Sequence, residues 1–266
     1  MNSPSSDHEP LRGDESGVQD AGIRREWDRH ADVVVIGLGG AGGSAAVEAR
    51  AHGADVVLLD RFGGGGATGK SAGAVYFGGG TDLQKRCGYD DSPENMYAYL
   101  RLETGDVVSE EVLRAFCETS VENFEWLRAM GCPFPVSGTV VKTALPPEDC
   151  TLYFSGNELC PPYCDAAVPA PRGHRPLGRG LTGHHVTSAL RGRALDTGVE
   201  LRPYARAERL VTDGTGVVIG VVASELPRRL WALGEAMQGF VQYGGGMSHA
   251  IGGVAQACLR TLERAG

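Results

Sequence analysis

The chain has 266 residues, and 25 Lys and Arg against 33 Asp and Glu leave a formal net charge of −8, which excludes a basic nucleic-acid or membrane-binding surface and favours small neutral or apolar ligands. At 42% hydrophobic and 22% charged it has the balance of a globular protein, while its 40 glycines follow no collagen-like period and so serve local backbone geometry. Seven scattered cysteines without a C-x-x-C pair argue against a metal site or a disulfide framework and point to a reducing cytoplasm, and no apolar run nears the roughly 18 residues of a membrane span.

Residues 1–30 carry few large apolar groups and read as a disordered leader. Arg24-Arg25 has the outline of a twin-arginine signal, but Glu26, Asp28 and Asp32 stand where such signals are poor in acid, so export is not expected. Val33–Ile36 is a short β-branched strand entering a glycine cluster, Ala41–His52 is an Ala-rich helix with Gly53 as its stop, and Asp55–Asp60 is a second apolar strand. That compact strand, helix, strand unit predicts parallel strands at the start of a doubly wound α/β sheet. Residues 61–80 hold nine glycines interleaved with Thr68, Ser71, Val75, Tyr76 and Phe77, which fits backbone in close contact with a ligand better than a featureless linker.

Ser92-Pro93 predicts a helix start, and Ser109 caps a second helix whose Val112, Phe116, Phe124 and Leu127 are expected to face the core before Gly131 and Pro133 end it. Residues 131–180 contain nine of the fourteen prolines and read as loops and short strands. Thr182–Asp196 is a predicted helix, Val199–Leu201 and Arg209–Thr212 are strands, and Asp213–Gly216 turns into Val217–Val222 as a hairpin returning to the sheet. Leu226–Phe240 and Ala250–Leu262 have helical patterns around the glycines 244–246.

Gly37, Gly39 and Gly42 fit G-x-G-x-x-G in the right place, directly after a strand and at a helix start. Gly37 permits the turn, Gly39 lets backbone approach a pyrophosphate, and Gly42 allows close helix packing. Asp60, 18 residues beyond Gly42 at the end of the second strand, is placed to hold a ribose hydroxyl. NAD and FAD both satisfy this pattern; the long glycine loop after Asp60 favours an extended flavin. His184 and His185 point about 100° apart on a helix and read as structural, His174 reads as a hydrogen-bond partner in its loop, and no metal ligands are assigned.

Asp60–Thr68, Ser71-Ala72-Gly73 and Gly78–Thr81 resemble the flavoprotein family of 3-ketosteroid dehydrogenases and flavin-dependent fumarate reductases. Tyr89–Tyr97, Leu152–Glu158 and Pro169–Arg175 look like its ketosteroid-dehydrogenase side. The resemblance covers about residues 31–223. It implies a Rossmann-like FAD-binding domain with a parallel sheet, a loop-rich insertion at about 82–180, an incomplete irregular cap region, and a tail, 224–266, of unassigned role. By the resemblance Gly37, Gly39, Gly40, Ala41 and Gly42 contact the pyrophosphate, and Asp60 with Arg61 the adenosine ribose. Ala67, Thr68, Ser71, Ala72 and Gly73 run beside the ribityl chain and flavin ring, and Ala207 reaches the adenine.

The family's chemistry is removal of a proton and a hydride from an apolar ketone such as a steroid, with flavin N5 taking the hydride. Tyr153 and Tyr243 are the candidates for proton handling, each weighed against a packing role. The pattern departs from the family after Val217–Ala223: the Ala-Thr-Gly-Gly-like turn is missing, and Tyr243–Gly246 with Ile251–Gly253 resemble only the glycine-rich closing segment. A shortened flavin-binding chain without turnover, a chain completed by a partner or oligomer, and an NAD-binding module therefore stand as alternatives. An incomplete sheet predicts oligomerisation or poor solubility.

Overall fold

A computed structural model describes residues 18–20, 27–140, 142–143 and 146–225. The first half of the chain forms β1 (Val18–Asp20), β2 (Val33–Ile36), α1 (Gly40–Ala51), β3 (Val56–Asp60), α2 (Gly66–Gly69), β4 (Val75–Tyr76), α3 (Asp82–Arg86), α4 (Pro93–Thr104), α5 (Glu110–Glu118) and α6 (Ser120–Ala129). There follow β5 (Thr139–Val140), β6 (Leu152–Tyr153), α7 (Tyr163–Ala166), β7 (Gly173–His174), α8 (Gly183–Asp196), β8 (Glu200–Pro203), β9 (Ala205–Thr212) and β10 (Val218–Glu225).

The expected parallel sheet has the order β2-β3-β8, with Val33 opposite Val56 and Val57 opposite Glu200. All five residues of β3 are buried because it is the central strand and is covered on both faces. One face packs Val35, Val56 and Leu58 against the alanines of α1 and against Ala194 of α8. On the other face, Val57 and Leu59 meet Ala205 and Val221 of the β9–β10 hairpin. That hairpin corrects the expectation that it would return to the parallel sheet. It lies in a separate sheet of order β1-β9-β10, since an antiparallel hairpin satisfies its own backbone and can be laid across the first sheet.

A small third sheet, β4-β7-β6-β5, arises within the proline-rich region, where short strands pair between the interruptions. The leader reading is bounded by two observations: Val18–Asp20 pairs with β9, and Arg29 bonds both Asp55 and Glu200; residues 1–17 and 21–26 lie outside the described residues. The second predicted helix divides at Thr119 into α5 and α6. Phe124 and Leu127 are fully buried and Phe116 is partly buried, but Val112 is 56% exposed and the core-facing positions of α5 are Leu113 and Cys117. The predicted helices Leu226–Phe240 and Ala250–Leu262 lie outside the described residues.

Candidate functional site

The carboxyl ends of β2 and β3 carry the glycine turn and the acid predicted for a dinucleotide. Gly37 has φ +97°, a conformation that disfavours a side chain. A Cβ on Gly42 would lie 1.8 Å from the Gly37 carbonyl oxygen, so this helix can approach the turn only with glycine there. Gly39 caps α1, whose first turn contains no acidic side chain, leaving the positive end of the helix uncompensated. Asp60 is buried, with Oδ2 accepting from Leu38 N and Oδ1 from Phe62 N, both at 2.7 Å. The carboxylate is thus locked to the glycine turn while each oxygen retains capacity for a further donor. Arg61 stacks its guanidinium 4.6 Å from the Phe62 ring centroid.

The loop from Gly63 to Gly73 folds back over that turn. Thr68 Oγ1 accepts from Gly40 N at 3.1 Å, and Gly65 N donates to Leu38 O at 2.6 Å. Ala67 is exposed. Ser71 Oγ donates to Thr68 O, and Gly73 N donates to Ser71 Oγ. Thr182, which had no place among the predicted site residues, donates to Ala72 O at 2.9 Å and fits so closely that a Cβ on Gly73 would lie 2.4 Å from its Oγ1. Arg175 and Arg191 likewise brace the loop, through Ala72 O and Gly63 O. Each of the three lies about 100 residues or more from the loop carbonyl it meets, so no local sequence pattern marks these contacts.

Hydrogen bonds and close approaches thus link the turn and helix start of Gly37, Gly39, Gly40, Ala41 and Gly42 with Asp60 and with Thr68, Ser71, Ala72 and Gly73 of the loop. Ala207 sits on β9, just beyond Tyr204, whose N donates to Phe62 O. Lys70 is exposed on the loop. It faces a cavity of about 250 Å³ that His184, Thr187 and Arg191 also line.

Tyr153 is buried, its ring so close to Gly173 that a Cβ there would lie 2.7 Å from Tyr153 Cε1, and burial raises its phenol above its ordinary value. A raised phenol is a poor base near neutral pH. Tyr243 lies outside the described residues. His174 is fully buried, and burial lowers its imidazole to about 4. Its Nδ1 lies 3.1 Å from the Arg172 carbonyl oxygen, so the neutral ring carries its proton there and Nε2 accepts from Thr81 Oγ1 at 2.9 Å. His184 and His185 stack at 4.1 Å, with His184 Nδ1 bonded to Leu181 O.

Residues 32–265 match the family model described as FAD binding domain. The chain is 41% identical over 206 residues to 3-oxo-5-alpha-steroid 4-dehydrogenase of Comamonas testosteroni, covering 76% of this chain and 39% of that one. It is 27% identical over 191 residues to a fumarate reductase (cytochrome) of Shewanella frigidimarina, covering 72% and 29%. Among solved structures, 3-ketosteroid-delta4-(5alpha)-dehydrogenase from Rhodococcus jostii RHA1, in complex with 4-androstene-3,17-dione, aligns with a TM-score of 0.73 and 43% identity over 78% of this chain and 44% of that one. The chain thus spans less than half the length of these relatives. The FAD match overturns the NAD-binding alternative, as the glycine loop after Asp60 suggested. Among the described residues, no helix is long and apolar enough to cross a membrane.

Proposed function

The chain belongs to the FAD binding domain family, and we propose that it is the cofactor-holding part of a flavin-dependent oxidoreductase acting on an apolar ketone of the 3-ketosteroid kind. The observation that carries the substrate class is the 41% identity over 206 residues to a steroid 4-dehydrogenase. A glycine cradle that a Cβ at Gly42 would fill, an unopposed helix start and a buried, oriented carboxylate fit an anionic dinucleotide. When bound, FAD supplies a two-electron acceptor for the hydride.

In this reading the amides and small residues from Gly37 to Gly42 accommodate the pyrophosphate. Asp60 accepts from the ribose hydroxyls, held in orientation by Leu38 N and Phe62 N, with Arg61 beside it. Ala67, Thr68, Ser71, Ala72 and Gly73 line the path of the ribityl chain and ring, braced from behind by Thr182, and Ala207 lies toward the adenine. Tyr243 is the remaining candidate for moving the substrate proton, since burial suits Tyr153 to packing. The compartment read from the cysteine pattern is the cytoplasm.

A second reading is a flavin-binding chain without turnover of its own, or one completed by another chain. It is favoured by coverage of only 39% and 44% of the steroid-dehydrogenase relatives. A visible spectrum of the purified chain with and without added FAD, followed by 3-ketosteroid and an artificial electron acceptor, separates these readings. Flavin bands that bleach with the steroid support the oxidoreductase. Bands that do not bleach support the second reading, and a chain that takes up no FAD overturns both.

A further inference from the structure

The start of α8 is joined to the loop that precedes β4. An α-helix leaves its first amides without partners inside the helix, and here two amides are used outside it: Gly183 N donates to Ser71 O at 3.1 Å and Thr182 N to Ala72 O at 3.4 Å. Thr182 Oγ1 and Arg175 Nε donate to the same Ala72 carbonyl oxygen, and both residues are fully buried. The first turn of α8 carries no acidic side chain, so the loop carbonyls meet the positive end of the helix.

Contact continues along one face of α8. Gly183 is buried, and a Cβ there would lie 2.0 Å from Thr68 O, 2.6 Å from Ser71 Oγ and 2.9 Å from Ser71 O. One turn on, Thr187 Oγ1 would lie 3.1 Å from a Cβ on Gly69 and 3.6 Å from one on Gly65. A further turn on, Leu190 Cβ would lie 3.1 Å from a Cβ on Gly43 of α1. Positions 183, 187 and 190 share a helix face, and glycines on both sides let that face rest directly against backbone. Gly183 is not among the residues of positive φ, so its need for glycine is steric. Retreat of Thr68 O would break the bonds it accepts from Ser71 N and Ser71 Oγ.

We propose that Gly183 is a positioning residue for the flavin: with Thr182 it sets the path of Thr68–Gly73 by letting the start of α8 reach the loop backbone. The inference rests on the reading that runs Thr68, Ser71, Ala72 and Gly73 beside the ribityl chain and ring. A side chain at position 183 forces helix and loop apart at Thr68 and Ser71, and the loop then meets the cofactor in a different shape.

The test compares Gly183→Ala with Gly192→Ala in the full-length chain. Gly192 lies on the same helix, and a Cβ there has nothing within 4 Å. FAD affinity is read by quenching of flavin fluorescence on titration, the flavin environment by the visible bands of the bound cofactor, and the fold by circular dichroism. Gly183→Ala is expected to weaken FAD binding by about tenfold or more and to shift those bands, while Gly192→Ala matches the parent. Thr182→Val keeps the shape and removes the hydroxyl; it is expected to weaken binding several-fold, and Thr182→Ser to restore it. This pair decides the outcome if Gly183→Ala does not fold. Equal affinity and bands in Gly183→Ala and the parent overturn the proposal, as do equal affinities in Thr182→Val and Thr182→Ser or equal losses in the two glycine variants. A parent that takes up no FAD overturns the cofactor reading as well, which separates the two failures.

Discussion

Asp91 and Arg172, 81 residues apart, meet as a fully buried bidentate ion pair, with Nη2 to Oδ1 at 2.8 Å and Nε to Oδ2 at 3.0 Å. Asp91 also accepts from Gly79 N, Gln84 Nε2 and Asn95 Nδ2, so its oxygens tie α4 and the 78–81 turn to the strand entering β7. Gln84 in turn closes a capping box with Thr81, and Thr81 reaches His174. The pair joins the ends of the loop-rich insertion through a continuous polar network.

Removing one member of this pair leaves the other charge buried without its partner. Arg172→Met is therefore expected to cost about 3–5 kcal/mol in urea unfolding, with part of the loss recovered in the Asp91→Asn, Arg172→Met double variant. A single-variant loss below about 1 kcal/mol would mean that the pair contributes no more than an exposed one. Burial pushes the Asp91 carboxyl up, but the Arg172 hydrogen bond and charge, with Asn95 and Gly79, hold it below 3.8. Its contribution is thus present above the ordinary carboxyl value and is lost as the solution is acidified below it.

Gly42→Ala brings a methyl group to 1.8 Å from the Gly37 carbonyl oxygen, so either the turn or the helix must move. We expect FAD affinity to fall at least tenfold, measured by quenching of flavin fluorescence on titration, with circular dichroism near the parent. Gly53→Ala is the matched control: Gly53 follows α1 at the end opposite the glycine turn and has no neighbour within 4 Å of an added Cβ, so its cost is that of a positive φ alone. Equal flavin affinity in the Gly42 variant and the parent would remove the turn from the cofactor site.

Asp60→Asn preserves the shape but puts an amide donor against one of two backbone donors, Leu38 N or Phe62 N. An unsatisfied buried donor costs about 1–3 kcal/mol, and the displaced side chain no longer presents a carboxylate to the ribose. Both melting temperature and FAD affinity should drop, the latter by about tenfold or more. A fall in melting temperature with intact FAD affinity would make Asp60 a brace for the glycine turn alone.

Glu158 is buried; its Oε2 accepts from Gly156 N at 2.8 Å, while Oε1 has no partner within the protein. Burial raises its carboxyl above 4.5, opposed by hydrogen bonds from its own and the Gly156 backbone and by the Arg172 charge. Because the folded form holds the proton more tightly, stability falls as pH rises through 4.5 toward the raised value and then levels. Glu158→Gln should remove that pH dependence and gain stability relative to the parent as pH increases. Chemical unfolding of both proteins at pH 4 to 8 checks this, and parallel curves would show that the carboxyl is not perturbed.

The strand, glycine turn and acid at the start of the FAD-binding domain follow from local sequence. The run Val33–Ile36, the three spaced glycines and Asp60 encode a strand, a turn and a second strand through local rules of backbone freedom and side-chain branching, and β2, α1 and β3 form where those rules put them. The caps at Ser92 and Ser109 were legible for the same reason, since a hydroxyl bonding an amide three residues on is a local event. Tertiary structure decided what distant residues must share. Thr182 and Arg175 brace the candidate flavin loop, Asp91 finds Arg172, the β9–β10 hairpin lies across the parallel sheet, and Leu113 rather than Val112 faces the core. None of these has a local signature, because each depends on which surfaces remain to be covered once the strands have paired, and burial and hydrogen-bond satisfaction are settled across the whole domain.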